Sequence, residues 1–289
     1  MEARRAAEPR SVHGEGPCWD ASSGSLFWVD IYGCKLHRLT PSTGETVEYR
    51  FQQNVCAVYP HAAGGLLLTL RNGFYRFDPL RGGEPEPIAV LDLPPGIRFN
   101  DGKCDRRGRC WAGTMVEEGE AGQAALYRLD PDGTLHEMLR GVTISNGIAW
   151  SEDESRMYYI DTHTRSVDAF DFDAAEGEIS NRSRIVEFED EEGWPDGMAI
   201  DREGYLWIAH WDGARVTRRH PKDGRVVGIV RLPVPKATSC AFGGEAGNTL
   251  YITTSAIDAE DDRCGLLYSV SAPASGRPAA AFGSVSMDF

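Results

Sequence analysis

Between residues 194 and 209 the chain reads Trp-Pro-Asp-Gly-Met-Ala-Ile-Asp-Arg-Glu-Gly-Tyr-Leu-Trp-Ile-Ala. Two short apolar runs flank a polar stretch, residues 201–204, with the Asp and Gly content of a tight turn. The pattern predicts a β-hairpin whose first strand is entered through Asp196-Gly197. Turn chemistry alone does not ask for a carboxylate there.

The unit recurs. With Trp207 marking the second strand, the same place is held by Trp28, Leu68, Trp111, Tyr159 and Tyr251, at intervals of 40 to 48 residues. That is the period of a four-stranded propeller blade. Third strands are predicted after each marker, over 35–39, 73–77, 126–129, 167–170, 215–218 and 266–269. Turn signals such as Asp78-Pro79 follow, and fourth strands come next, for example over 183–188 and 225–232. No apolar period of 3.6 residues is sustained anywhere, and no Pro/Gly/Ser linker divides the chain. The expectation is an all-β, six-bladed β-propeller of four-stranded antiparallel blades, one domain over residues 1–289. Two segments, 3–9 and 279–287, compete to complete the last blade and close the ring.

A propeller brings the first strand of each blade to the central axis. Counting back 11 to 13 positions from each marker, the heads of those strands are Glu15, Cys56, Asn100, Asn146, Asp196 and Ser239. Four of them are carboxylates or carboxamides, each followed by Gly or Asp-Gly, and Gly permits tight backbone where strands crowd. Taken singly, Asn-Gly and Asp-Gly are turn dipeptides. Repeated at one phase of the blade, they aim oxygen donors at one point, which calls for a cation. A hard divalent ion suits such donors: Ca²⁺ first, then Mg²⁺ or Mn²⁺, with Zn²⁺ preferring nitrogen or sulfur.

Composition narrows the partners. Of 289 residues 41% are apolar and 26% charged, which suits a globular fold. A formal net charge of −14 repels nucleic acid and anionic membrane surfaces, leaving small molecules and cations. The basic start, residues 1–10, precedes no apolar run, so neither a secretory signal nor a membrane span is expected and the cytoplasm is the default. The seven cysteines form no Cys-x-x-Cys pair and read as reduced core residues. Oligomeric state is left open.

Several motifs carry a resemblance: Gly14-Glu15-Gly16-Pro17, Arg98-Phe99-Asn100-Asp101-Gly102-Lys103, Ala112-Gly113-Thr114-Met115, Ile144-Ser145-Asn146-Gly147, Val167-Asp168-Ala169-Phe170-Asp171, Pro195-Asp196-Gly197 and Phe242-Gly243-Gly244. In this order, over roughly residues 12–270, they resemble the senescence marker protein 30 (regucalcin)/gluconolactonase family. The resemblance implies one divalent metal at the axial mouth and hydrolysis of sugar-acid lactones. It makes Glu15, Asn146 and Asp196 metal ligands, Asp196 also the acid/base, and Arg98 and Asn100 substrate contacts. Asn100 is counted with the metal site as well. Glu118 matches a substrate-reaching Glu, in a loop after Met115 that is shorter here.

The chemistry to expect is attack of water on a metal-polarised lactone carbonyl, with Asp196 taking the proton. Glu117, Glu118, His163, His210 and Trp211 are candidates for the rim, although a His bonded to a loop carbonyl is the plainer reading of either histidine. Asp30 and Asp161 read as structural hydrogen-bond partners, and residues 130–133 as a turn only. No Gly-x-Ser-x-Gly, His-Glu-x-x-His, Walker or Gly-x-Gly-x-x-Gly motif is present. Two rivals survive: a phosphotriester hydrolase on the same scaffold, and a non-catalytic calcium-binding propeller.

Overall fold

Residues 1–283 are described in a computed structural model of the chain, and their strands form six four-stranded antiparallel sheets. Blade 1 consists of Gly14–Asp20, Ser25–Asp30, Lys35–Thr40 and Glu45–Arg50. The innermost strands of blades 2 to 6 are Val55–Pro60, Ile97–Cys104, Ser145–Trp150, Trp194–Ile200 and Ala237–Gly243. Apart from two short 3-10 turns, Thr162–Thr164 and Asp190–Glu192, the regular structure is β. The expected six-bladed propeller of four-stranded antiparallel blades is therefore observed.

Why the apolar runs are strands follows from how a blade is covered. Inner strands have a neighbouring blade on each face, so a continuous apolar run such as Leu66–Leu70 is buried throughout. Outer strands have one face in water, and Glu45–Arg50 accordingly mixes exposed and half-buried positions. The marker residues Trp28, Trp111 and Trp207 are all buried between blades. Two of these indoles carry a buried polar anchor. Trp207 Nε1 donates to Asp201 Oδ2 at 2.9 Å, and Arg218 Nε donates to the same oxygen at 2.7 Å. Blade 3 repeats the device, with Trp111 Nε1 and Arg109 Nε both donating to Asp105 Oδ2. All seven cysteines are free, as expected.

The ring is closed from the N-terminal side. Arg4–Arg5 pairs antiparallel with Tyr268–Ser271 and so becomes the outermost strand of blade 6. The competing segment goes elsewhere. Gly276 bridges to Asp201 and Phe282 to His61, just past the axial strands of blades 5 and 2, so this stretch crosses the face opposite the strand heads. Its positions 284–287 lie outside the described residues.

The heads differ from the turn that Asn-Gly and Asp-Gly usually signify. Each lies in an axial strand, at a break in the ladder to the second strand: between Glu15 and Cys18, Val55 and Ala57, Phe99 and Gly102, Ser145 and Ile148, Pro195 and Met198, and Ala237 and Ser239. Such bulges re-aim a side chain away from the pleat. Here they turn the head residue toward the axis. The glycines serve close approach between axial strands: a Cβ at Gly147 would lie 2.6 Å from Met198 Cβ, and one at Gly197 2.0 Å from Ser239 Oγ.

Asp201→Ala is expected to cost about 3–5 kcal/mol, because it strands a buried indole N–H and breaks a buried ion pair. Glu203→Ala, which removes only the exposed partner of Arg218, should cost under about 1 kcal/mol. Urea midpoints at unchanged slope provide the comparison; equal losses in the two variants would remove the anchor role.

Candidate active site

Five of the six side chains anticipated for the site line one cavity of about 370 Å³ at the head end of the axis: Glu15, Arg98, Asn100, Asn146 and Asp196. All five are 5% exposed or less. The sixth, Glu118, is exposed and lies outside this lining. The loop decides the difference. Glu117 N and Glu118 N both donate to Gly96 O, and this pinning turns Glu117 inward, where Oε1 accepts from Arg98 Nε at 2.8 Å and Oε2 from Arg71 Nη1 at 3.0 Å. Neither acid lines the cavity itself, but Glu117, also a rim candidate, reaches the site through Arg98, whereas Glu118 does not.

Arg98 is no surface arginine. Besides Glu117, its Nη1 donates to Phe99 O at 2.9 Å and Asn100 Oδ1 at 2.8 Å, and its Nη2 to Tyr32 Oη at 3.3 Å. The fork expected to face sugar hydroxyls is largely spent within the protein. Asn100 is spent too: its oxygen faces Arg98, and its Nδ2 donates to Ser145 O at 2.8 Å.

Asn146 is held differently. Thr162 Oγ1 gives its proton to Pro195 O at 2.8 Å, so toward Asn146 it can only accept, and it does so from Nδ2 at 3.0 Å. This fixes the amide orientation. Asn146 Oδ1 is left buried without a hydrogen-bond partner. Unpaired buried acceptors are uncommon, and one lining a cavity beside carboxylates suits a donor or a cation.

The carboxylates make the same demand. Glu15 titrates well above the usual carboxylate range because of burial and the nearby Asp196 and Asp101, only partly offset by the Gly16 N–H and Arg98. Asp196 is raised by burial and Asp101, against the Asn146 side chain and the Gly197 N–H. Asp101 is raised by burial and held down by Lys103 and the Gly102 N–H. Lys103 lies beneath this floor, where it lines a second cavity of about 160 Å³ with Asp101 and Tyr59 and donates to Met198 O at 2.7 Å. Lys103 acts on Asp101, and the Arg98 guanidinium, which moderates Glu15, is already paired with Glu117, so Glu15 and Asp196 have no cation of their own among the described partners.

A divalent ion fits this donor set. Among the described residues no three His, Cys, Asp or Glu side chains are grouped as ligands. The set here is two carboxylates and one amide oxygen, hard donors that leave positions for water or substrate.

Further residues belong to the cavity without having been anticipated. His13, Tyr32, Met115, Ile144, Thr162, Trp194 and Ile257 line it together with the expected His163 and Trp211. Burial, with Arg98 and Lys236 nearby, lowers the His13 pKa to about 3, and its Nδ1 lies 3.0 Å from Ser255 Oγ. The imidazole is therefore neutral. Its place immediately before Gly14-Glu15 was the available sequence signal. His210, by contrast, is buried away from the cavity, donating from Nδ1 to Glu192 O at 2.8 Å, which bears out the plainer reading. Asp30 and Asp161 cap loops as expected, Asp30 accepting from the N–H groups of Val12, His13 and Gly33, and Asp161 from those of Thr143, Ile144 and His163.

Comparison with known proteins matches residues 13–256 to the SMP-30/gluconolactonase/LRE-like region. The chain belongs to this family. A Bacillus subtilis (strain 168) member, "Putative sugar lactone lactonase YvrE", is 41% identical over 255 residues, 88% of this chain and 87% of that one. Rabbit (Oryctolagus cuniculus) regucalcin is 42% identical over 252 residues, 85% of this chain and 84% of its own. Among solved structures, a family protein from Agrobacterium tumefaciens described as a calcium-binding protein, regucalcin, superposes with a TM-score of 0.91 at 26% identity, covering 97% of each chain. The family match thus spans all five of the anticipated residues that line the cavity.

The raised carboxylates have a definite pH signature in metal-free protein. A carboxyl whose folded pKa exceeds its unfolded value stabilises fully below the unfolded value, about 4.3 for Glu, and loses that contribution as pH rises through the folded pKa. Glu15→Gln escapes the loss. In chelator-treated protein the Tm of Glu15→Gln minus that of wild type should grow between about pH 5 and 8. Saturating Ca²⁺ should shrink or invert it. A pH-independent difference would show that Glu15 is not held protonated.

Proposed function

We propose that the protein is a divalent-metal-dependent lactonase, with Glu15, Asn146 and Asp196 holding one ion and Asp196 serving as the base. The observation that carries this reading is the buried, partnerless Asn146 Oδ1 on the same cavity as two carboxylates that burial and neighbouring acids have raised. Ca²⁺ is the first choice, on the all-oxygen donors and on the calcium-binding description of the Agrobacterium relative. Zn²⁺, Mn²⁺ and Mg²⁺ are the alternatives. Sugar-acid lactones are the substrate class to which the names of the lactonase relatives point.

When bound, the ion would supply the positive charge that keeps Asp196 ionised and polarises the lactone carbonyl. The remaining steps belong to the chain. Asp196 accepts a proton from the attacking water as the new bond forms to the carbonyl carbon. It returns that proton to the ring oxygen as the ring C–O bond breaks, leaving a hydroxy acid and a base ready for the next turn. Asn100, fixed by Arg98 and Ser145 O, keeps the floor rigid beside the reacting carbon. Glu117 and Tyr32 hold Arg98 in turn, so Arg98 acts chiefly through position.

Asp196→Asn retains an oxygen ligand and removes the base. With metal content verified by elemental analysis, kcat on a lactone should fall by about 10²–10⁴, the scale of general-base catalysis. A fully loaded variant within about threefold of wild type, far below that scale, would reduce Asp196 to a ligand. Asn146→Ala should lose activity that excess metal partly restores, since only a neutral ligand is gone. Turnover of a phosphotriester at least as fast as a lactone, or no turnover of either by loaded protein, would favour one of the rival readings.

A further inference from the structure

We propose that this cavity prefers lactones whose ring carries an apolar alkyl or aryl substituent over fully hydroxylated sugar lactones. The proposal rests on the lactonase reading and names what the ring carries. The polar heads that line the cavity are buried and form its floor, whereas its more exposed walls are built by Tyr32, Met115, Ile144, Trp194, Trp211 and Ile257 together with His163. Water next to such a wall gains by being displaced by an apolar group, not by a hydroxyl.

The walls are held in place. The Arg165 guanidinium lies 4.1 Å from the Trp194 ring centroid and donates to Glu189 O and Gly193 O. Lys236 Nζ lies 4.8 Å from the Trp211 centroid and donates to Ile257 O at 2.6 Å, tying two wall residues together. Each indole thus has a cation clamped against it, and a surface fixed before binding sacrifices little freedom when a substituent arrives.

The hydroxyl-reading capacity of the floor is low for a complementary reason. A site that selects hydroxyls does so because its own buried donors and acceptors stay unpaired without them. Here Arg98, Asn100, Thr162 and Tyr32 are all paired within the protein, Tyr32 Oη donating to Glu117 Oε1 at 3.0 Å. Among the lining residues the buried side-chain atom without a partner is Asn146 Oδ1, which serves the cation. The imidazoles of His13 and His163 remain, enough for a lone polar atom on the substituent. The volume agrees: about 370 Å³ falls within the ~300–1,000 Å³ of pockets that enclose drug-sized ligands, leaving room beyond a single lactone ring.

The test is a substrate series on metal-reconstituted enzyme followed by pH-stat, each rate normalised to uncatalysed hydrolysis. Glucono-1,5-lactone is compared with δ-valerolactone, δ-hexalactone, δ-octalactone and dihydrocoumarin. The expected result is a rise in kcat/KM of about fourfold per added methylene, the factor that burial of one methylene provides. δ-Octalactone should then exceed gluconolactone by at least about tenfold. Trp194→Ala should flatten the dependence on chain length. Gluconolactone turned over as well as or better than the alkyl series, or a wild-type series flat with chain length, overturns the preference and leaves the lactonase reading standing. Failure to open any lactone at full metal loading overturns the lactonase reading itself, and the preference with it.

Discussion

Six strands converge on one axis, and the chain has to fit them there without a side chain at every position. Glycine at 147 and 197 meets that demand, since a Cβ at either would collide with the neighbouring axial strand. The bulges meet it as well, each shifting the ladder at the head of a strand so that its side chain turns inward. Having brought the heads together, the geometry buries Glu15, Asp101 and Asp196 near enough that Asp196 and Asp101 raise Glu15 and Asp101 raises Asp196. Like charges in such a place are tolerated by protonation or by a cation. The site is thus a consequence of closing the ring.

The blades are also stitched across their boundaries at the level of the heads. Asn100 of blade 3 donates to Ser145 O of blade 4, Thr162 of blade 4 to Pro195 O of blade 5, and Thr238 of blade 6 to Gly14 O of blade 1. Lys103 reaches from blade 3 to Met198 O of blade 5. Asn100 and, through Thr162, Asn146 are therefore positioned by a neighbouring blade as well as by their own, which is how separate strands can hold a site to close tolerance. The same bonds consume the polar capacity of the floor. What remains open is one amide oxygen and the carboxylates, under walls that are aromatic and aliphatic.

The relation to the SMP-30/gluconolactonase/LRE-like family covers the parts of the chain that build this mouth. Its consequence for function is uneven. The floor residues are the ones that the family motifs carry. The walls come from strand ends and loops at the same face, around Tyr32, Trp194 and Ile257, the kind of position where binding selectivity is set on a scaffold.

The repeat period, the strand type, and the polar heads Glu15, Asn100, Asn146 and Asp196 were legible in the residues alone, because each blade is a local unit whose apolar pattern is set by burial on both faces. The Asp-Gly and Asn-Gly steps marked the axis for the same reason: a glycine in a strand signals close backbone approach. Which acid of Glu117 and Glu118 turns inward was decided elsewhere, by the carbonyl of Gly96 and by Arg71 and Arg98, partners distant in sequence. The segment that completes blade 6 was likewise settled by which strand edge stood open in space, and Arg4–Arg5 took it. Arg98, a substrate contact in the sequence reading, is bonded within the protein on nearly every side in three dimensions. Sequence periodicity determines which residues face the axis, whereas the pairing of polar atoms around that axis depends on contacts between blades that only the closed ring creates.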